Sequence, residues 1–242
     1  MLVKQAVNVL ELLEFFAERR RPATMAEIAA ELQWPRSSTF NLIGTLAEKG
    51  YLFEPVARGG YYPSPRWMLA VQAFNDAAPL PQRLLQAVTE IRDQTGETTC
   101  VAAPSGVCAI MLHVLESPQP VRYYAATGSR VPIQASSVGR ALLAGFTPTE
   151  REALYRRIAF SPSPATAPQD GAAVEAALSA ATARGYHQSD SEYVPDLAGV
   201  AMPVILDDWR LSLVVAGPRS RCLERRAEIA ETIRAVLQRH EM

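Results

Sequence analysis

The chain has 242 residues, 48% of them hydrophobic, enough for one large or two modest domains with well-formed cores. Its 24 Lys and Arg stand against 25 Asp and Glu, a net charge of −1, which excludes a chain-wide basic surface for non-specific nucleic-acid binding. No apolar run approaches the ~20 residues that cross a bilayer, and the first residues read as an amphipathic helix rather than a signal peptide, so a cytoplasmic location and no membrane partner are expected.

Ala6, Val9, Leu10, Leu13, Phe16 and Ala17 recur at helical spacing and predict a first helix with one buried face. Arg19, Arg20 and Arg21 end it, where cations complement the exposed carbonyls; contact with a phosphate is the other use for them. Thr24 stands three residues before Glu27, the spacing of a capping box, and opens a second helix that buries Met25, Ile28, Ala29 and Leu32. Gln33 and Trp34 break the pattern. Pro35 lacks the amide donor needed inside a helix but suits the start of a new one, so a third helix begins there. Its buried stripe is Thr39, Leu42, Ile43 and Leu46, which leaves Ser37, Phe40, Asn41 and Gly44 outward, with Arg36 and Ser38 flanking the exposed first turn.

Hydroxyl, amide and guanidinium groups on such a face hydrogen-bond phosphates and base edges. After Lys49-Gly50, the segments Tyr51-Leu52-Phe53 and Gly60-Tyr61-Tyr62 flank Arg58-Gly59, the layout of a hairpin with a cation at its tip. Residues 1–63 therefore read as a winged helix-turn-helix that touches double-stranded DNA through Arg36, Ser37, Ser38, Phe40, Asn41 and Arg58. The alternative is a small helical domain whose serines merely start a helix. Residues 1–70 hold eight Lys and Arg and seven Asp and Glu, a net of +1, so any basic footprint must be local.

Pro63-Ser64-Pro65 punctuates the exit from the hairpin, and residues 64–78 form a linker helix with Trp67, Met68, Val71 and Phe74 along one stripe. If nothing in the chain covers that stripe, a second subunit does, and a homodimer is the economical expectation. Residues 79–242 form a second domain. A helix through Leu84, Leu85, Val88 and Ile91 stops at Thr95-Gly96, and strand-like runs follow at 97–103, 106–115 and 121–127. The stretch 134–146 returns to helix with small residues. Thr149 and Glu152 have capping-box spacing, and residues 161–168 read as a loop. A helix over 171–184, strands near 186–190, 199–205 and 210–216, and a charged helix over 221–240 complete an α+β domain around an antiparallel sheet.

Cys100, Cys108 and Cys222 lack zinc-site spacing, and His113, His187 and His240 are scattered, so no metal and no cofactor are expected. Cys100 and Cys108 flank a hairpin turn at Pro104-Ser105-Gly106, where a redox pair competes with the role of small buried hydrophobes. Ser136-Ser137-Val138-Gly139 lies at a helix start, where small side chains and free amides let an anion reach the backbone; close packing of helix on sheet asks for the same residues.

Five stretches carry a resemblance: AVNVLELL, PRSSTFNLIGTLAEKGYL, GSRVPIQASSVGRALLAG, GYHQSDSEYVPDLAGVAMPV and LVVAGPRSR. On these the chain resembles the isocitrate lyase regulator (IclR) family of bacterial transcription factors over nearly its whole length. The resemblance implies a winged helix-turn-helix joined to a GAF-like effector domain, a dimer or dimer of dimers, and promoter binding modulated by a small metabolite, often an organic acid. It also implies effector contacts at Ser137 and Val138, at Ser189, Asp190 and Gly199, and at Val214 and Ala216, with Tyr123, Tyr124 and Val131 at the mouth. Family members that bind very small carboxylates use polar or thiol side chains at the positions of Gly199, Val214 and Ala216. Hydrogen and hydrocarbon here imply a roomier, more apolar pocket for a larger or aromatic acid. An unpaired Asp190 would repel an anion unless a cation or proton intervened. Pro63-Ser64-Pro65 also replaces the leucine-glycine usual after the wing.

Two other function classes fit less well. An enzyme would need a nucleophile elbow, paired metal ligands or a glycine-rich phosphate loop, and the sequence offers none of these. A protein-interaction module would use the winged domain without DNA, and a steep loss of DNA binding with salt separates the two.

Overall fold

A computed structural model describes residues 2–77, 80–161, 166–206 and 209–242. The chain divides into two compact units, Met1–Pro79 and Leu80–Met242.

In the first unit, α1 (Lys4–Arg19), α2 (Met25–Glu31) and α3 (Arg36–Glu48) pack around Leu12, Phe16, Ile28 and Ile43. The buried face of α1 is centred on Leu12, Phe15 and Phe16, whereas Ala6, Leu10 and Ala17 of the expected stripe are exposed. Two overlapping apolar periodicities run along α1, and the one that meets Ile28 and Ile43 wins. The capping box forms: the Thr24 amide donates to Glu27 Oε2 at 2.8 Å and the Glu27 amide donates to Thr24 Oγ1 at 3.3 Å. These bonds, with Arg19 beside them, hold the Glu27 carboxyl down at about 2. Pro35 caps α3 from one position outside the helix.

The wing is smaller than its sequence suggests. Strands β1 (Leu52–Phe53) and β2 (Tyr62–Pro63) pair over two residues each, and Tyr61 bonds instead across to Ala23. Gly60, at φ 93°, allows that approach, because a Cβ there would lie 2.4 Å from the Ala23 carbonyl carbon. Ser64 and Trp67 turn back on the wing: Ser64 N–H and the Trp67 indole both donate to the Tyr51 carbonyl, at 2.9 Å each. Helix α4 (Arg66–Ala77) follows, and apart from Trp67 its large apolar side chains, Met68, Leu69, Val71 and Phe74, stand exposed.

The second unit is a six-stranded antiparallel sheet in the order β5 (Arg130–Pro132), β4 (Cys108–Leu115), β3 (Thr98–Ser105), β8 (Trp209–Pro218), β7 (Leu197–Leu206) and β6 (His187–Asp190). Strand alternation sends Val101, Val200, Leu213 and Val215 to one face, under α5 (Gln82–Thr95) and α10 (Arg226–Arg239). It sends Cys100, Ala201, Val214 and Ala216 to the other, under α6 (Ser137–Ala144). Helices α7 (Pro148–Tyr155) and α8 (Gly171–Arg184) form a satellite core with Ile133 and Leu143.

Several expected elements shift. Residues 121–127 form no strand. The third partner of the hairpin is β5, reached after Gly128 and Ser129 exchange backbone bonds with Met111. The capping box of α7 is Thr147 with Glu150 rather than Thr149 with Glu152, because Pro148 takes the first helical position and leaves Thr147 as the cap. The small-residue helix starts at Ser137 and ends at Ala144, short of the 134–146 span. The last charged helix breaks at Leu223–Arg225 into α9 (Arg219–Cys222) and α10. Of the loop expected over 161–168, residues 162–165 lie outside the described residues.

Candidate DNA interface and effector site

The first unit carries the groups that the sequence expects to face DNA. Thr39 and Ile43 are buried and pin α3, so Arg36, Ser37, Ser38, Phe40 and Asn41 are all exposed, with Phe40 at 64%. Gly44 is partly covered, and a Cβ there would meet nothing within 4 Å. Arg58 sits at the wing tip with φ 60°, its side chain exposed. The structure adds neighbours that sequence periodicity missed: Lys4, Gln5 and Asn8 of α1 line a cleft of about 400 Å³ with Ser38 and Asn41. Their signal was the polar flank of the α1 pattern. Arg19 has no part in this face, because its guanidinium pairs with Glu27 at 2.5 Å and Glu31 at 3.2 Å.

In the second unit, strand register builds a floor under α6. Ser189, Gly199, Ala216 and Thr98 lie side by side across β6, β7, β8 and β3, and Ala201, Val214 and Cys100 form the adjoining row. The two readings of Ser136 to Gly139 divide between residues. Ser136 caps α6, accepting from the Gly139 amide at 3.2 Å, and a Cβ on Gly139 would lie 2.2 Å from the Ile133 carbonyl oxygen, so these two serve packing. Ser137 does not. It is 2% exposed, Ser189 is 7% exposed, and neither hydroxyl has a hydrogen-bond partner among the described residues, though neither oxygen is sealed from solvent; the sealed, unpartnered hydroxyl of the sheet is that of Ser212. Both converge on Gly199, where a Cβ would stand 2.5 Å from Ser137 Oγ and 3.0 Å from Ser189 Oγ. The amides of Ser137 and Val138 lie in the first turn of α6, with no carbonyl four residues back inside the helix.

Val131, Val138, Val214 and Ala216 belong to the buried cluster of this face, joined by Tyr123, Tyr193 and Val194. Tyr193 was missed because only the fold of the turn after β6 brings it over the sheet. The Tyr123 and Tyr193 hydroxyls are 2.7 Å apart, and burial pushes both phenols up, so both stay protonated. Burial also pushes the Cys100 thiol up to about 12, and Cys100 pairs with Val114 while Cys108 pairs with Ser105, at opposite ends of one hairpin. All three cysteines are free.

Two expected contacts fall outside this cluster. Tyr124 is 69% exposed. Asp190, one residue beyond Ser189, alternates to the opposite face, where Arg219 Nε donates to it at 2.8 Å and Arg226 lies 3.7 Å away. Its charge is already paired, and the repulsion expected of a free carboxylate does not arise.

Arg140 braces the start of α6. Its side chain is 4% exposed and makes a bidentate ion pair with Glu192, while also donating to the Gln134 carbonyl at 2.9 Å and to the Gln188 carbonyl. It ties the start of α6 to β6 and to the turn that carries Tyr193. His187, beside it, is buried, and burial with the Arg140 and Arg184 charges lowers it to about 4. No group of three His, Cys, Asp or Glu fit to hold a metal is found among the described residues. No helix there is long and apolar enough to cross a membrane.

A helix-turn-helix with a wing, and a sheet domain with unpartnered serine hydroxyls under a helix start, are the parts of a DNA-binding transcriptional regulator modulated by a small-molecule effector. Comparison with known proteins agrees: the model of the bacterial transcriptional regulator IclR C-terminal domain matches residues 73–239, and that of the IclR helix-turn-helix domain matches residues 5–53. The chain belongs to the IclR family. It is 24% identical to the HTH-type transcriptional regulator BhcR of Paracoccus denitrificans, over 92% of this chain and 79% of that protein. The Thermotoga maritima IclR crystal structure superposes with a TM-score of 0.77 at 16% identity, covering 98% of this chain and 97% of that one. An IclR homologue of Microbacterium hydrocarbonoxydans, crystallised with 4-hydroxybenzoate, gives 0.69 at 22% identity, covering 97% of this chain and 99% of that one.

Proposed function

We propose that the effector is an organic acid larger than two or three carbons, aromatic in its best-fitting form, held between α6 and the sheet. The observation that carries this is the pair of unpartnered hydroxyls that Ser137 and Ser189, both largely buried residues, point at the bare Cα of Gly199. A carboxylate accepts from these hydroxyls and from the Ser137 and Val138 amides at the positive end of α6. Ala201, Val214 and Ala216 supply a hydrocarbon floor, with Val131, Val138 and Tyr123 around it. The neighbour crystallised with 4-hydroxybenzoate supports the same ligand class. Tyr124 and Asp190 are assigned no direct contact.

On the DNA side, Arg36, Ser37, Ser38, Phe40 and Asn41 enter the major groove and Arg58 meets an adjacent phosphate or groove. Two copies of the chain act together, with the exposed Met68, Leu69, Val71 and Phe74 of α4 covered in the assembly, and a pair of dimers is the next order of assembly. The protein works in the cytoplasm and binds its effector without converting it. A thermal-shift screen of carboxylic acids tests the ligand class, because a ligand that binds only the folded state raises its melting temperature. Stabilisation by acetate or pyruvate but by no aromatic acid would contradict it.

A further inference from the structure

Ser189, Gly199, Ala216 and Thr98 are polar at their two ends and apolar between. At the β6 end stand the Ser137 and Ser189 hydroxyls; at the β3 end Thr98 Oγ1 donates to the Tyr123 carbonyl at 2.7 Å and fixes that residue in place. Four strands at ~4.8 Å spacing separate the ends by about 14 Å, a span that matches a ring with a hydrogen bond on either side. Tyr193, on the turn after β6, reaches over the cluster so that its hydroxyl meets that of Tyr123 at 2.7 Å. Two hydroxyls sharing one bond leave one O–H hydrogen undonated, and neither phenol has another side-chain bond among the described residues. A partly covered O–H in apolar surroundings gains by meeting a polar group and loses nothing by rotating to it.

We infer that the Tyr123–Tyr193 hydroxyl pair reads the far end of the effector, selecting acids that carry a second, uncharged hydrogen-bonding group opposite the carboxylate across a ring-sized spacer. This rests on the aromatic-acid reading above. The carboxylate occupies the serine end, the ring lies over Ala216 and Val214, and the distal hydroxyl joins the phenol pair. Tyr193 is thereby a specificity-determining residue.

Calorimetric titration of the full chain with benzoate, 4-methylbenzoate and 4-hydroxybenzoate tests it, in the wild type and in Tyr193→Phe, Tyr123→Phe, Ser137→Ala and Tyr124→Phe. In the wild type the hydroxylated acid binds roughly three- to tenfold more tightly than benzoate, and the methylated acid does not. Tyr193→Phe abolishes that ratio while benzoate affinity stays within about twofold, Ser137→Ala weakens all three acids together, and the exposed Tyr124→Phe changes nothing. The inference is overturned if the ratio persists in both phenylalanine variants, if those variants weaken benzoate as much as its hydroxy derivative, or if the wild type shows no preference, a result that needs no variant to fold. Failure of all three acids to bind the wild type overturns the aromatic-acid reading and this inference with it.

Discussion

Ser137 Oγ lies 2.5 Å from the point a Cβ on Gly199 would occupy, so β7 approaches the start of α6 closely only because residue 199 has no side chain. The hydroxyl can rotate away from an added methyl, so Gly199→Ala folds, at a cost on the order of 1–3 kcal/mol for overpacking. The methyl turns the Ser137 and Ser189 hydroxyls out of the position from which they donate, and affinity for aromatic acids falls at least tenfold while DNA binding without effector is retained. Calorimetry and fluorescence anisotropy on the one variant measure both.

The bidentate pair of Arg140 and Glu192 is nearly out of solvent, with side chains 4% and 12% exposed. Removing one partner strands the other charge, so Glu192→Ala should lower unfolding free energy by about 3–5 kcal/mol. Urea midpoints at constant slope read this directly. A loss below 1 kcal/mol would show that Arg140 finds enough solvent or carbonyl partners by itself.

His187 gives the second unit a defined pH response. Its folded pKa of about 4 lies below the ordinary 6.5, so between those values the unfolded chain binds a proton the folded one refuses. Its contribution is complete above pH 6.5 and is lost as pH falls from there toward 4, about 1.4 kcal/mol per unit at most. His113 is lowered in the same direction by burial, so the comparison needs a variant. His187→Asn should flatten the decline in urea stability between pH 7 and 5 relative to the wild type; an unchanged slope assigns the decline elsewhere.

Arg36 stands exposed at the first turn of α3 with no partner among the described residues to hold it. Arg36→Ala should weaken operator binding by ~1–3 kcal/mol if it reads a base edge and relax the preference at that base pair. If it meets only phosphate, affinity falls evenly across sequences and the salt slope drops by about one. Equal binding by variant and wild type in anisotropy titrations across salt concentrations takes Arg36 off the interface.

What the sequence made legible was what adjacent residues decide. The Thr24–Glu27 box, the buried stripe of Thr39 and Ile43, and the end of α5 at Gly96 are all fixed within one or two helical turns. The misread elements are those settled by distant partners. Residues 121–127 look strand-like, yet Met111 bonds to Gly128 and Ser129 and the ladder goes to β5. Asp190 and Ser189 are neighbours in sequence, and only the pleat, with Arg219 and Arg226 waiting on one face, parts them. Tyr193 had no periodicity to reveal it, since its position comes from a turn. The Ser137–Gly199 approach was half legible: small residues were plain in both segments, but not that the two segments meet.

The central claim is that the unpartnered serine hydroxyls over Gly199 receive the effector's carboxylate. Its most direct test is calorimetric titration of an aromatic carboxylate into the wild type and the Ser137→Ala/Ser189→Ala double variant, with melting temperature confirming that the variant is folded. The wild type should show saturable one-site binding and the double variant at least a tenfold loss. Equal affinity in both proteins would contradict it.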